Sequence, residues 1–273
     1  MSQTTNAPGE TLTVDQVTID FGGVRALDHV SFEVQPGSLT AIIGPNGAGK
    51  TSMFNCMTGI YRPTSGSISY RGQELTRLSQ HRIAKLGIAR TFQNLALFEG
   101  MSVLENLMVG RYLHGRTGLL RGLFYTPSVI RDEIEQRHRV EEVIDLLEIS
   151  THRHTTVADL PYGLRKRVEL GRALAQDADL LLLDEPMAGM TVEEKEDMAR
   201  FILDVRSELG TTLVLVEHDM GVVMDIATKV VVLDFGKLIA DDVAARVQTD
   251  PKVIEAYLGT KKHQPESLPG ASA

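Results

Sequence analysis

The sequence predicts an α/β fold with a mainly parallel central sheet, an N-terminal antiparallel β layer and a helical subdomain. Three observations predict this fold: nearly uniform apolar runs separated by helical segments, alternating apolar and polar residues near the N-terminus, and a helical middle segment. Uniform apolar runs are typical of parallel strands covered on both faces, whereas alternation is typical of half-buried antiparallel strands. The apolar runs are residues 39–43, 180–183, 212–216 and 230–233.

The antiparallel layer is predicted from residues 12–17 and 30–34, in which apolar side chains alternate with polar ones, and from the β-rich segment 66–72. Residues 101–148 then have a helical pattern, with four apolar side chains spaced along one face. These four are Val140, Val143, Ile144 and Leu147.

A further helix is predicted to begin near Thr191. The Thr191 hydroxyl can cap the first turn while the carboxylate of Glu194 reaches back to the backbone, which is the capping-box arrangement. We expect the apolar stripe of this helix to face the core. The stripe consists of Met198, Phe201, Ile202 and Val205.

The composition is typical of an α/β protein that does not cross a membrane. The chain has 273 residues, of which 42% are hydrophobic and 23% charged, and its net charge is −8. No stretch approaches the roughly 20 consecutive apolar residues of a membrane-spanning helix, and residues 1–10 lack the features of a signal peptide. We therefore expect a cytosolic protein unless a partner holds it at a membrane. The acidic balance argues against a nucleic-acid partner, and the single cysteine, Cys56, is predicted to be buried filler.

A glycine-rich segment with the pattern Gly-x-x-x-x-Gly-Lys-Thr follows the first apolar run. Glycines let the backbone aim several N–H groups at one anion, and the positive end of a following helix adds to the attraction. In this pattern the lysine contacts the β and γ phosphates of a nucleotide, and the threonine hydroxyl binds Mg²⁺. The sequence therefore predicts a P-loop NTPase whose phosphate-binding residues are Gly44, Pro45, Asn46, Gly47, Ala48, Gly49, Lys50, Thr51 and Ser52.

Two carboxylates follow the second apolar run, at the edge where open α/β sheets bind ligands. Asp184 is predicted to hold Mg²⁺, and Glu185 is predicted to polarise the water that attacks the γ phosphate. A strand that ends in solvated acids is the alternative. The upstream phosphate loop favours the catalytic interpretation.

With both motifs in place, residues 12–259 resemble an ATP-binding cassette (ABC) subunit, and the resemblance implies bound ATP and Mg²⁺. It also implies one ABC ATPase domain with a RecA-like core, a helical subdomain and two short tails. The segments are a disordered tail at 1–10, the domain at 11–259 with its core at 11–93 and 177–259 and its helical subdomain at 94–176, and a flexible tail at 260–273.

The resemblance assigns roles to residues outside the two motifs. Gln93, in Thr91-Phe92-Gln93-Asn94, would reach Mg²⁺ and the attacking water and would sense the membrane partner. His218 would contact the γ phosphate, with an ordinary histidine at the end of a strand as the alternative. Phe21 would stack on adenine, although a core-packing role for Phe21 stays open. Residues 188–190 resemble a loop that crosses a dimer interface; a simple connector to the next helix is the alternative.

The segment 160–164 departs from the family signature Leu-Ser-Gly-Gly-Gln, which in the family meets ATP held by the other subunit. Pro161 stands at the serine position and has neither a hydroxyl nor an N–H to donate, and Leu164 replaces the glutamine. Leu160 and Gly163 are retained, so the Gly163 amide and the helix end could still attract phosphate. We expect the chain to hydrolyse ATP when a partner donates an intact signature, and we expect the reciprocal site to be weaker.

Within the ABC family the chain looks most like the ATPases of branched-chain and hydrophobic amino-acid importers. The similarity lies in residues 21–27, 90–98 and 253–259, and residues 111–139 resemble the helical insertion of one of their two ATPases. It implies integral-membrane permease subunits, contacted through residues 100–106, and a second ATPase subunit in a heterodimer or a homodimer. It also implies an extracytoplasmic solute-binding protein, engaged indirectly, and a peripheral position at the cytoplasmic face of the membrane.

Other functions stay open. The transported solute could be urea, an amide, an aromatic acid or lipopolysaccharide, because the ATPase does not touch the solute. The chain could also be a non-transport ABC ATPase or a nucleotide-sensing module, the latter suggested by Pro161 and Leu164. About 130 residues separate the two nucleotide motifs, which is room for a helical lobe but not for an extended coiled coil.

Overall fold

The computed structural model describes residues 11–91, 96–111 and 127–259. The strands are β1 (Leu12–Phe21), β2 (Val24–Val34), β3 (Leu39–Ile43), β4 (Ser65–Tyr70), β5 (Gln73–Glu74), β6 (Ile88–Arg90), β7 (Leu180–Asp184), β8 (Thr212–Val216), β9 (Lys229–Asp234) and β10 (Lys237–Asp242). The α-helices are α1 (Lys50–Met57), α2 (Gln80–Lys85), α3 (Val103–Gly110), α4 (Pro127–Leu146), α5 (Tyr162–Leu174), α6 (Val192–Leu209), α7 (Met220–Ile226), α8 (Ala244–Val247) and α9 (Pro251–Gly259).

A six-stranded sheet in the order β10-β9-β3-β8-β7-β6 forms the centre of the fold. Its neighbours pair in parallel except for β10, which is antiparallel to β9. Every residue of β3, β7 and β8 is buried, because both faces of the sheet are covered. The predicted parallel strands are therefore confirmed, and β7 extends one residue further, to Asp184.

The N-terminal layer is a four-stranded sheet in the order β2-β1-β4-β5, with antiparallel pairing throughout. Its inner face shares an apolar cluster with α1, which includes Phe32, Phe54 and Met57. The predicted strands 12–17 and 30–34 are shorter than the observed β1 and β2. The reason is that residues near the Gly22–Gly23 turn are mostly exposed, so they carry no apolar alternation.

The predicted helical region contains α3, α4 and α5, which pack against one another. Val140, Val143, Ile144 and Leu147 are all buried in one cluster, as their spacing predicts. That cluster continues into α6 and the central sheet through residues such as Phe201 and Leu213, so the helices are packed directly on the core. The division of the chain at 94–176 stays a prediction, and residues 112–126 of the expected insertion lie outside the described residues.

Two local predictions are confirmed. Thr191 caps α6 in a capping box with Glu194, and Met198, Phe201, Ile202 and Val205 are the buried residues of that helix. Cys56 is fully buried, and burial raises the pKa of its thiol to about 12. No helix within the described ranges has the length and apolar character needed to span a bilayer.

Candidate nucleotide site

The phosphate loop runs from the end of β3 to the start of α1. Three of its glycines have positive φ angles, which side chains rarely tolerate: 151° at Gly44, 82° at Gly47 and 103° at Gly49. Space is also restricted, because a methyl group at Gly44 would overlap the carbonyl oxygen of Leu233 and one at Gly49 would lie 2.6 Å from that of Ala26. The backbone can therefore form this tight loop only with glycine at these positions.

Lys50, the first residue of α1, points back into the loop. Its ammonium group is buried and donates to the carbonyl oxygens of Gly44, at 2.7 Å, and Pro45, at 3.0 Å. Burial lowers the pKa of Lys50, and the carboxylates of Glu185 and Asp184 act against that shift. A buried cation surrounded by backbone dipoles suits a site for a highly charged anion.

A cavity of about 310 Å³ opens above this loop. It brings together Ala26, the loop residues 46–52, Glu185 and His218. The phosphate loop, Lys50, Thr51 and Ser52 therefore face the same space as the residue predicted to polarise water and the histidine expected at the γ phosphate. These groups come from β2, α1 and the ends of β7 and β8, so the fold assembles them from four separate parts of the chain.

Asp184 ends β7 and is buried beside an arginine that the sequence did not mark. The guanidinium of Arg90, at the end of β6, donates to Oδ2 of Asp184 at 2.6 Å and to Oδ1 of Asn55 at 2.7 Å. Both members of the Arg90–Asp184 ion pair are buried, with side chains 8% and 2% exposed. The hydroxyl of Thr91 accepts from the Asp184 amide, so β6 and β7 are fixed together at this carboxylate.

The second carboxylate oxygen of Asp184, Oδ1, is buried and accepts no hydrogen bond from the residues that the structure describes. Such an oxygen is suited to a cation, because a buried carboxylate oxygen without a partner is costly. Mg²⁺ binds to proteins through one or two carboxylates together with substrate phosphates. Asp184 therefore fits the predicted metal role, and Thr51 lies on the adjoining cavity.

Glu185 and His218 form a direct pair. Nε2 of His218 lies 2.6 Å from Oε1 of Glu185, and both side chains border the phosphate cavity. Glu185 adopts a positive φ of 50°, which is uncommon for a residue with a side chain, and its amide donates to the carbonyl of Val216 at 2.9 Å. The turn after β7 is thus bound to the end of β8.

The remaining predicted residues lie elsewhere or are not described. Phe21 is 43% exposed and makes an edge contact with Tyr61, with ring centroids 5.0 Å apart, so it does not pack in the core. Gly163 lies in the first turn of α5 beside Glu194, away from the phosphate cavity of its own chain, and Pro161 is the residue before that helix. Gln93 lies outside the described residues.

Sequence reasoning missed Arg90 and Glu217. Glu217 is buried at the end of β8, and it accepts hydrogen bonds from the backbone amides of Met187 and His218. Both residues stand next to recognised motifs, but Asp184, the partner of Arg90, and Met187, a partner of Glu217, are distant in the chain. The only signal in the sequence is a charged residue at the end of a strand.

The fold and the site define an ABC transporter ATPase, and the comparisons with known proteins agree. The profile of the family described as ABC transporter matches residues 27–188, and the profile described as branched-chain amino acid ATP-binding cassette transporter matches residues 237–263. A solved ATP-binding cassette of an ABC transporter in its ADP conformation is similar with a TM-score of 0.80 and 31% identity, covering 92% of this chain and 99% of that one.

Curated relatives show which group of ABC transporter ATPases the chain resembles. The chain is 38% identical to the high-affinity branched-chain amino acid transport ATP-binding protein LivG of Escherichia coli K12, over 91% of this chain and 97% of that protein. It is 40% identical to BraF of Pseudomonas aeruginosa, a protein with the same description, over the same shares of the two chains. The chain belongs to the ABC transporter ATPase family, in the group of LivG and BraF.

Proposed function

We propose that this chain binds ATP with Mg²⁺ on the loop 44–52 and hydrolyses it to energise the uptake of branched-chain or other hydrophobic amino acids. The observation that carries the proposal is the shared cavity, in which Lys50 and the hydrogen-bonded pair Glu185–His218 face the same space. A phosphate cradle without a base would only bind nucleotide. The carboxylate beside the cradle supplies the group that hydrolysis needs.

Each residue of the cavity has a distinct part in the reaction. The loop amides and the Lys50 ammonium neutralise charge on the phosphates, which favours the transition state in which charge spreads over the γ phosphate. Glu185 orients the attacking water and draws a proton from it, and His218 holds Glu185 and contacts the γ phosphate. Thr51, Asp184 and Gln93 would hold Mg²⁺, which when bound neutralises charge on the β and γ phosphates.

The working assembly pairs this chain with a second ATPase subunit, and each nucleotide lies between the phosphate loop of one and the signature helix of the other. A proline before α5 cannot offer the hydroxyl of the family signature, so we propose a heterodimer in which the partner carries the intact signature. The site that this chain completes with Pro161 is then the weaker one.

The two ATPase subunits act at the cytoplasmic face of the membrane on integral-membrane permease subunits, and a solute-binding protein outside delivers the solute. We place the permease contact at residues 100–106, just after the Gln93 segment. In this stretch Met101 is partly exposed and Ser102 caps α3 in a capping box with Glu105. The N-terminal end of this short helix is therefore capped, and Met101 and Glu105 are its exposed residues.

The solute is proposed from the group to which the chain belongs. LivG and BraF are described as branched-chain amino acid transport proteins, and the C-terminal profile carries the same description. We extend that solute class to this chain. The ATPase itself does not contact the solute, so the assignment must be tested on the assembled transporter.

The test uses the transporter purified from membranes through an affinity tag on this chain. Glu185→Gln is expected to abolish steady-state phosphate release while leaving ATP bound, because the amide cannot take a proton from water. Glu208→Gln, an exposed residue of α6, is the matched control and should hydrolyse ATP at the normal rate. Undiminished hydrolysis by Glu185→Gln would remove the proposed base. Stimulation of hydrolysis by urea or an aromatic acid, but not by leucine, isoleucine or valine, would overturn the solute assignment.

A further inference from the structure

Glu217 joins the two loops that carry the catalytic pair. Its Oε1 accepts a hydrogen bond from the amide of Met187, in the turn after β7, at 2.8 Å. Its Oε2 accepts one from the amide of His218, directly after β8, at 3.1 Å. One carboxylate thus holds the backbone beside Glu185 and the backbone of His218 at the same time.

The position is costly for a carboxylate. Glu217 is 4% exposed, and burial raises its pKa, while its two backbone donors lower it and the nearby carboxylate of Glu185 raises it again. A hydrophobic residue would avoid this cost but would leave the two amides without acceptors. The carboxylate has two oxygens, and each accepts a hydrogen bond from a donor in a different loop.

The turn that Glu217 anchors is strained. Glu185 has a φ of 50°, a conformation that costs a residue with a side chain about 1 kcal/mol or more unless its surroundings enforce it. Two bonds hold this turn against β8: the Glu185 amide to the Val216 carbonyl at 2.9 Å, and the Met187 amide to Glu217. Without Glu217 one of the two anchors is lost, and the contact of 2.6 Å between Glu185 and His218 loses its support.

We propose that Glu217 is a positioning residue for ATP hydrolysis, which fixes Glu185 and His218 in their hydrogen-bonded arrangement. The proposal rests on the proposed function, since it assigns the geometry of the same site. The turn after β7 also contacts α5, the helix that begins within the signature segment 160–164. The carbonyl of Ala188, one residue after Met187, accepts a hydrogen bond from the Tyr162 hydroxyl in α5 at 2.9 Å. Movement of that helix would therefore reach the turn that Glu217 holds.

The test is Glu217→Gln, which keeps the shape of the side chain but presents an NH₂ group to one of the two amide donors. In the transporter purified through this chain, kcat for ATP hydrolysis is expected to fall about 10-fold or more, since a group held out of reach costs about that much. The affinity for a fluorescent ATP analogue should change less than twofold, because Glu217 does not line the phosphate cavity. Hydrogen exchange should become faster at the amide of Met187 or of His218, whichever then faces the NH₂ group.

A matched control keeps the outcome decisive. Val205→Ala creates a cavity at a buried position in α6 and so destabilises the chain without changing a residue of the turn after β7. It controls for any stability that Glu217→Gln loses, and its kcat should stay within twofold of that of the unmodified chain. If Glu217→Gln does not fold, Glu217→Asp, which keeps the charge and shortens the reach, provides the same measurements.

The results separate this inference from the proposed function. Equal kcat values for Glu217→Gln and the unmodified chain would overturn the positioning role. So would a fall in kcat that Val205→Ala reproduces. If the unmodified transporter releases no phosphate, or releases it equally after Lys50→Ala, the proposed function is wrong, whatever the effect of Glu217→Gln.

Discussion

Replacing Arg90 by methionine is expected to destabilise the chain by about 3–5 kcal/mol. Arg90 and Asp184 form a buried ion pair at 2.6 Å, so removing the guanidinium leaves a carboxylate that is 2% exposed without its counter-charge. The change also removes the donor to Asn55 Oδ1. Methionine preserves the apolar contact, because the Arg90 guanidinium lies 5.5 Å from the centre of the Phe54 ring, a distance at which sulfur also packs favourably.

Thermal unfolding in the absence of nucleotide measures the effect. A loss of about 3–5 kcal/mol lowers the melting temperature by about 5–9 °C for a chain of 273 residues. The matched control is Arg246→Met, which breaks an ion pair at 3.1 Å whose side chains are 77% and 39% exposed. Exposed pairs contribute about 0–1 kcal/mol, so this variant should melt within about 3 °C of the unmodified chain.

A double variant tests the cause. Asp184→Asn removes the charge that Arg90→Met leaves uncompensated, so the double variant should be more stable than Arg90→Met alone. The coupling energy should be about 2 kcal/mol or more, as is found for residues in one hydrogen-bonded network. If the two single losses add within about 0.5 kcal/mol, the ion pair does not stabilise this site and the reasoning is wrong.

Three further predictions concern single positions. Burial raises the pKa of Cys56 to about 12, so about one thiol in ten thousand is ionised at pH 8. The native chain should therefore resist iodoacetamide while the unfolded chain reacts. Rapid labelling of the native chain would contradict the burial of Cys56. Pro161→Ser restores a hydroxyl before α5 and should tighten ATP binding at the site completed by this chain by about 10-fold or more, since hydrogen bonds to charged groups contribute about 1.5–3 kcal/mol. Unchanged affinity in equilibrium titrations of the assembled transporter would refute the expected asymmetry. Gly163→Ala would push a methyl group into the carboxylate of Glu194 and disturb the α6 cap, which should lower the melting temperature by about 2–4 °C. Gly100→Ala is the control, because its methyl group meets open space and should leave the melting temperature unchanged. Equal melting temperatures of the two variants would show that the Glu194 side chain moves aside without cost.

The parts of the fold that sequence could predict are those with local causes. The apolar runs of β3, β7 and β8 can be recognised without knowledge of their neighbours, because a strand buried on both faces is almost uniformly apolar. The capping box of Thr191 and Glu194 lies within four residues. The edge strand β10 was not predicted, since its mixture of exposed and half-buried residues resembles that of a loop.

The phosphate loop and the two acids were predicted for the same reason, because each motif is contiguous and its chemistry is fixed by residue type. The contacts of Arg90 and Glu217 could not be predicted in this way. Arg90 meets Asp184 because β6 lies beside β7, and Glu217 meets Met187 because β8 lies beside β7. Pairings between residues 94 and 30 positions apart depend on the strand order, which the sequence does not state.

The most direct measurement of the central claim compares the unmodified chain with Lys50→Ala for stabilisation by ATP and Mg²⁺ in thermal unfolding. The ammonium is buried inside the phosphate loop, so the unmodified chain should be stabilised by about 2.7 kcal/mol at a ligand concentration 100 times the dissociation constant, and Lys50→Ala should lose most of that gain. Lys252→Ala, at an exposed position in α9, should keep the full gain. Equal stabilisation of Lys50→Ala and the unmodified chain, or none in either, would contradict the account.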